Sequence, residues 1–398
     1  MTSRAAPAAV SGLTEEQRRQ SPGVFLMSDS FETGGSERQF STLAMSLDRR
    51  AFRVSLGCIQ KKGAFLDSLG DVGLGDVPVF PLGGSLYKLE SWKTRARLAR
   101  HLRQNAIDIA HAFDFYTNLT LIPAARWARV PVVIGSQRQL GDLLTRMQFQ
   151  AQLFALRLAD AVVCNSQAAA DRLCAAGLPR HKTVVIGNGM PPEVFAPAEP
   201  AIPRVPGVLR IGMIARMNTR SKNHSSLLRA FAQLLKKMPN LELVLAGDGP
   251  FRAEIEREAQ ELGIVQNVRF LGDRRDVPAI LASLDISVLP SVSESLSNSI
   301  IESMAQGIPV VAARVGGNVE LVSEDRGTLV PAGDDSALVG ALARLLKDEA
   351  LRKNMGANAR LFACENFTIG KMRQQLEDLY LRLLEGKISN RKLPGWRR

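Results

Sequence analysis

The chain has 398 residues, 45% of them hydrophobic, which is enough for two domains each with its own core. No apolar run reaches the length needed to cross a bilayer, so an integral membrane protein is not expected. The net charge is +12, with +7 in residues 1–195, zero in 196–385 and +5 in the tail 386–398.

The first 21 residues lack the apolar centre of a secretory signal and read as a disordered N-terminal tail. From there short β-branched runs alternate with helical patterns, as in parallel βαβ units. The predicted strands of the first half are 23–29, 52–59, 77–82, 108–113, 130–136, 160–166 and 182–188. Within this half YKLESWKTRARLARHLRQ (87–104) holds six Lys/Arg and one Glu. A basic helix carrying Trp92 suits the anionic surface of an inner leaflet, and equally reads as a solvated basic face. No nucleic acid is expected as a partner, because aromatic residues do not interleave the basic stretches.

Residues 190–207, MPPEVFAPAEPAIPRVPG, contain six prolines and read as an interdomain linker. The strand pattern then restarts at 209–216, 241–249, 267–273, 285–291 and 309–317. Three helices follow. The last, about 369–385, places Met372, Leu376, Leu379, Tyr380 and Leu383 at helical spacing. The expected fold class is α/β: two doubly wound Rossmann-like domains, 22–189 and 208–367, facing a central cleft. The 368–385 helix follows them, and then the basic tail 386–398. Ligands of such sheets bind beyond the carboxyl ends of the strands. The four cysteines, Cys58, Cys164, Cys174 and Cys364, form no C-x-x-C pair, which fits reduced thiols in a cytoplasmic chain.

Four strand-end loops carry candidate chemistry. In DSFETGGSERQF (29–40), Gly34 and Gly35 open a helix whose amides attract anions, although neither a dinucleotide fingerprint nor a P-loop is present. In ARMNTRSKNHSSLLRAF (215–231), Arg216 and Lys222 supply two cations that can neutralise a departing diphosphate. In AGDGP (246–250), Gly247 and Gly249 let the backbone pass close to a ligand. In ESLSNSIIE (294–302), Ser295 or Ser297 can cap a helix, which leaves Glu294 on the loop and the amides of Leu296 and Ser297 open to an anion. At about 100° per residue, Glu302 falls about 160° from Ile300 and Met304, so periodicity predicts a solvated side chain. A carboxylate holding two ribose hydroxyls is the functional alternative.

The stretch from Glu294 to Glu302 resembles the E-x7-E signature of retaining glycosyltransferases of family four, which have the type B fold. The blocks around Arg216, AGDGP, VRFLGDRRDVPAILASLDISVLPS (268–291), GIPVVAARVGGNVELV (307–322), DAVVCNSQAAADRL (160–173) and VIGNGM (185–190) resemble that family in the same order, over about 23–385. The resemblance implies that Arg216 and Lys222 contact the donor pyrophosphate, Glu294 the transferred sugar and Glu302 the ribose. It further implies that amides near Ser295, Leu296 and Ser297 bind the phosphates and that Gly34 and Gly35 close over them. Arg274 would flank the base, and the final helix, 368–385, would cross back onto the first domain. No cofactor or metal is implied beyond a nucleotide-sugar donor such as a UDP- or GDP-sugar.

The family often shows D-I-x-H-x-H in its first domain, whereas DIAHAFD (108–114) keeps His111 and has Phe113 at the second position. His111 is then either a core residue satisfied by backbone, or it or Asp114 orients the acceptor. The expected activity is transfer of a sugar to a glycan or lipid-linked glycan acceptor in surface polysaccharide or glycolipid synthesis. The expected enzyme is cytoplasmic, with peripheral contact at an anionic membrane. A same-fold epimerase or phosphorylase, or a non-catalytic glycan-binding protein, is the alternative.

Overall fold

The structure, a computed structural model, describes residues 21–32, 34–82, 89–142 and 144–392. The expected N-terminal tail therefore lies almost wholly outside the described residues.

Two six-stranded sheets organise the chain. The first contains β1 (Gly23–Ser28), β2 (Arg53–Cys58), β3 (Ile109–Ala112), β4 (Val132–Gln137), β5 (Ala161–Cys164) and β6 (Thr183–Val185), in the order β2-β1-β3-β4-β5-β6. The second contains β7 (Leu209–Ile214), β8 (Leu241–Ala246), β9 (Val268–Gly272), β10 (Ile286–Leu289), β11 (Val310–Ala313) and β12 (Gly327–Val330), in the order β12-β11-β10-β7-β8-β9. Pairings such as Leu26↔Leu56, Leu26↔His111 and Ile211↔Leu243 are parallel, with helices between successive strands. Both sheets are the doubly wound α/β type that the alternation predicts.

The central strands are buried along their full length. Val24, Phe25, Leu26 and Met27 of β1, and Val132, Val133 and Ile134 of β4, are all 0% exposed. Such continuous apolar runs arise because helices cover both faces of a parallel sheet. Each fully buried side chain of this size contributes about 1.5–3 kcal/mol relative to exposure.

Two compact units divide the chain: residues 1–136, 151–162 and 376–398 form one, and 137–150 with 163–375 form the other. The proline-rich segment 190–207 lies within the second unit. There Ile202 packs into a small cluster with Val244, Ile280 and Leu284.

Three expectations differ from what forms. VPVFPL (77–82) makes only a single bridge, Cys58↔Val79, because Pro78 and Pro81 have no amide to donate to a ladder. β12, a short run of four residues at the sheet edge, carries too few apolar positions to announce itself. The last helix runs Ile369–Lys392, seven residues past its expected end, since nothing in GKISNRK stops a helix but one tolerated glycine. Met372, Leu376, Leu379 and Tyr380 form its buried face, as the spacing predicts, whereas Leu383 is half-exposed.

Candidate functional site

In the second unit the loop after β7 carries Arg216, exposed, and then a 3-10 turn, Arg220–Lys222, capped by the Thr219 hydroxyl at the Ser221 amide (3.2 Å). Asn223 adopts a left-handed conformation (φ 56°), which ends that turn and starts the His224–Leu235 helix. His224 is buried and hydrogen-bonded to the main chain of Ala215. Burial, with Lys222 beside it, holds its pKa down at about 4, so the imidazole is neutral and ties the two ends of this loop together.

The loop after β8 packs directly on that segment. A Cβ on Gly247 (φ 134°) would lie 2.1 Å from Ala215 O, and one on Gly249 (φ 154°) would lie 2.4 Å from the Met217 carbonyl carbon. Main-chain bonds from Ala215 N to Ala246 O and from Met217 N to Asp248 O (both 2.9 Å) fasten the two loops. What these glycines admit at close range is the backbone on either side of Arg216. They position that loop, a role the sequence reading did not give them.

Lys222 points at the loop after β10. Its Nζ lies 2.5 Å from Glu294 Oε1, with 26% of the lysine side chain exposed and 9% of the glutamate's. Val292 N donates to Ser221 O (2.8 Å) and Asn223 Nδ2 to Pro290 O (3.3 Å), so main chain and side chain together register the two loops. Glu294 thus stands on the loop, ahead of the helix, as expected.

Of the two candidate caps, Ser297 is the one used. Its hydroxyl accepts from Ile300 N (3.3 Å) at the start of the Asn298–Ala305 helix. Ser295 donates instead to Asn165 Oδ1 (2.6 Å). Among the described residues no main-chain acceptor takes the amides of Leu296 and Ser297, whose unpaired dipoles favour an anion ahead of the helix. Asn298 Oδ1 accepts from Asn188 Nδ2 (2.6 Å), and Asn188 Oδ1 accepts from Arg138 Nη2 (2.8 Å), which fixes the first helical residue.

Periodicity predicts a solvated Glu302, and the structure overturns this: the residue is 4% exposed. The helix is only eight residues long, and every position from Ile300 to Ala305 is buried. It packs against the Glu349–Asn366 helix, β10 and the Val277–Leu281 helix, which leaves only its first two residues, Asn298 and Ser299, half-exposed.

Sequence reasoning missed the Gly316–Gly317 pair as more than a strand end. A Cβ on Gly316 (φ 44°) would lie 1.7 Å from Glu294 O, and one on Gly317 would lie 1.9 Å from Ser295 O. Gly317 N donates to Glu294 O (3.2 Å). These glycines let the loop after β11 brace the main chain that presents Glu294. The signal is the same glycine doublet at a strand end that marks Gly34–Gly35.

Arg274 is held by Asp276 (2.8 and 2.5 Å) on the exposed loop after β9. That loop meets the one after β8 through Gly247 N and Gly272 O (2.9 Å).

The remaining candidates belong to the first unit. Gly34 precedes the Gly35–Ser46 helix, and the Glu37 carboxylate lies where a Cβ on Gly34 would point. His111 is fully buried: Nδ1 lies 2.7 Å from the Tyr380 hydroxyl and Nε2 lies 2.8 Å from the Ser136 hydroxyl. It is a core group held by two hydroxyls. Phe113, 1% exposed, packs edge-on against Phe40 (5.3 Å between centroids). Asp114 caps the Phe115–Ala128 helix: Oδ1 accepts from Thr117 N (3.0 Å) and Oδ2 accepts from Asp29 N (2.7 Å). Burial, assisted by the charge of Asp29, pushes its pKa up to about 7.

Two family models match the chain. "Glycosyl transferases group 1" covers residues 198–362, and "Glycosyltransferase Family 4" covers 33–194. The lipopolysaccharide core biosynthesis glycosyltransferase LpsE of Rhizobium meliloti is 30% identical over 63% of this chain and 69% of its own. The UDP-Gal:alpha-D-GlcNAc-diphosphoundecaprenol alpha-1,3-galactosyltransferase of Escherichia coli is 27% identical over 86% of this chain and 92% of its own. Among solved structures, Anabaena Alr3699/HepE in complex with UDP and glucose superposes with a TM-score of 0.78 at 24% identity, covering 89% of this chain and 98% of that one. The fold is therefore the Rossmann-like type B fold, and the chain belongs to the group 1, family four glycosyltransferases.

Proposed function

We propose that this glycosyltransferase takes a sugar from a nucleotide-diphosphate donor and transfers it, with retention at the anomeric carbon, to a glycan or lipid-linked glycan acceptor. The observation that carries this reading is the contact of Lys222 with Glu294 at the mouth of the second sheet, beside the Arg216 loop and the amides of Leu296 and Ser297.

In this reading Arg216 and Lys222 face the two phosphates, and the amides add fixed dipoles. As the glycosidic bond to the diphosphate breaks, negative charge grows on the leaving oxygen, where positive groups already in place stabilise it most. Glu294 accepts hydrogen bonds from hydroxyls of the transferred sugar, and its pairing with Lys222 couples sugar and phosphate recognition. Glu302 accepts from the ribose hydroxyls. The departing diphosphate takes the acceptor proton, so no dedicated base is required. The two cations stand in the role of a divalent metal, and no cofactor takes part.

The relatives support the donor and acceptor classes. The Escherichia coli enzyme is named for a UDP-sugar and a lipid-diphosphate acceptor, the Rhizobium enzyme for lipopolysaccharide core synthesis, and the Anabaena structure holds UDP and glucose.

The test is a thermal-shift panel of UDP-, GDP- and ADP-sugars, followed by proton NMR of the product. One nucleotide class should raise the melting temperature by mass action, and the new linkage should keep the donor's anomeric configuration. A panel with no stabilising donor, or an inverted product, removes the proposal.

A further inference from the structure

The Asn298–Ala305 helix opens on a polar side chain that the chemistry above leaves unused. Asn298 Oδ1 accepts from Asn188 Nδ2 (2.6 Å), and Asn188 Oδ1 accepts from Arg138 Nη2 (2.8 Å). Arg138 directly follows β4, and Asn188 stands in the VIGNGM segment after β6. All three residues belong to the second unit.

Chemistry fixes the direction of this series. Arginine has donors and no acceptor, so Asn188 must turn its carbonyl oxygen toward Arg138 and its amide nitrogen toward Asn298. Asn298 must then turn its own oxygen inward, which leaves its amide nitrogen at the outer end. That side chain is half-exposed, and among the described residues nothing accepts from Asn298 Nδ2. Every N–H of the series points away from the cation, so each amide is polarised by the group behind it. Burial holds the pKa of Arg138 down at about 10, which leaves the guanidinium charged at neutral pH.

The middle of the series is rigid. Asn188 is 4% exposed. The main chain around it is fastened by bonds from Ile186 N to Cys164 O (2.9 Å), Met190 N to Phe367 O (2.7 Å) and Ile369 N to Met190 O (3.0 Å). The helix at its outer end has a neutral cap, Ser297, and no acidic residue in its first turn. The Asp335–Lys347 and Glu349–Asn366 helices differ: each is capped by an aspartate and begins with a carboxylate, which offsets the positive end of its dipole. At Asn298 no side chain of the helix supplies that charge.

We propose that Asn298 Nδ2 is a further ligand of the donor diphosphate, and that Asn188 and Arg138 are positioning residues that aim and polarise it. The proposal rests on the nucleotide-sugar reading and adds to it a side chain beyond Arg216, Lys222 and the main-chain amides. An anion is the fitting ligand, because the outer end of the series offers donors alone, backed by a cation. The amides of Leu296 and Ser297, just ahead of it in the chain, donate as well.

The test is calorimetric titration of the full chain with UDP, GDP and ADP, and with the matching nucleosides. Asn298→Ala should weaken the diphosphate that binds by ~10-fold or more, and leave its nucleoside within about 2-fold of the wild type. Asn298→Asp discriminates ligation from structure. It still accepts from Asn188 and places a carboxylate in the first helical turn, so its melting temperature should match or exceed the wild type's. The same carboxylate faces the phosphates, so diphosphate affinity should fall by about 100-fold. Arg138→Gln can still donate to Asn188 but carries no charge. It should weaken diphosphate binding by about 3-fold or more alone, and have no further effect in the Asn298→Ala background. Wild-type diphosphate affinity in Asn298→Asp, equal losses of diphosphate and nucleoside in Asn298→Ala, or an undiminished effect of Arg138→Gln in that background would each overturn the proposal and leave the nucleotide-sugar reading standing. A wild type that binds none of the three diphosphates overturns both.

Discussion

Lys222 and Glu294 are 72 residues apart in the chain and 2.5 Å apart in space, at the carboxyl ends of β7 and β10. β7 and β10 pair directly in the sheet, so the loops that follow them are obliged to meet. The ion pair also has a stability consequence. Lys222→Met strands a carboxylate that is 9% exposed, whereas Glu294→Gln leaves a lysine that can still reach water. Lys222→Met should cost about 1–3 kcal/mol, less than a fully buried pair would, because a quarter of the lysine is solvated. Glu294→Gln should cost less. The double variant should fall short of the sum by about 1 kcal/mol or more in urea titrations; strict additivity would mean that the pair is not coupled.

Gly316 and Gly333 both have positive φ, 44° and 78°, yet only Gly316 faces main chain, with Glu294 O 1.7 Å from the position of its absent Cβ. Gly333→Ala should cost about 1 kcal/mol from backbone strain alone and leave transfer unchanged. Gly316→Ala should cost at least about 2 kcal/mol and slow transfer, because it displaces the loop that presents Glu294. Equal effects on rate at the two sites would separate Gly316 from the candidate site.

Asp114 and His224 make opposite contributions to the pH dependence of stability. Asp114 is raised to about 7 from 3.8, so its contribution is complete below pH 4 and is lost as pH rises through about 7. His224 is lowered to about 4 from 6.5, so its contribution is complete above 6.5 and is lost as pH falls through about 4. Asp114→Asn should therefore uncover the contribution of His224: between pH 4 and 6.5 the variant's stability should climb with pH more steeply than the wild type's. Superimposable profiles from denaturant titrations would place Asp114 in an ordinary carboxylate environment.

Glu302 gives a prediction confined to the donor. Glu302→Gln keeps the shape of a buried residue and removes its charge, so the fold should survive while the stabilisation by a bound nucleotide-sugar declines. An undiminished thermal shift with the donor would assign Glu302 to packing alone.

The sequence made the two sheets legible because central parallel strands must be apolar throughout, and runs such as VFLM and PVVIGS have few other uses. It failed where local and tertiary demands differ. Pro78 and Pro81 interrupt an otherwise strand-like pattern that only a ladder could have validated. Glu302 obeys the helical period of a surface residue, but every position from Ile300 to Ala305 of this short helix is buried, a fact no local period contains. Candidate charges were visible at Arg216, Lys222 and Glu294, yet the brace beneath Glu294 comes from Gly316 and Gly317, whose value lies in the side chains they lack. His111 shows the same limit: two of its partners, Ser136 and Tyr380, are 25 and 269 residues away. A core histidine was one of two open readings there, and its hydroxyl partners were not legible.

The most direct measurement is initial-rate transfer from the stabilising nucleotide-sugar by wild type and by Arg216→Ala/Lys222→Ala, with folding verified by circular dichroism. Loss of both cations should lower kcat by ~10³-fold or more, since each neutralises charge that develops as the diphosphate leaves. A folded double variant that transfers sugar at the wild-type rate would contradict the account.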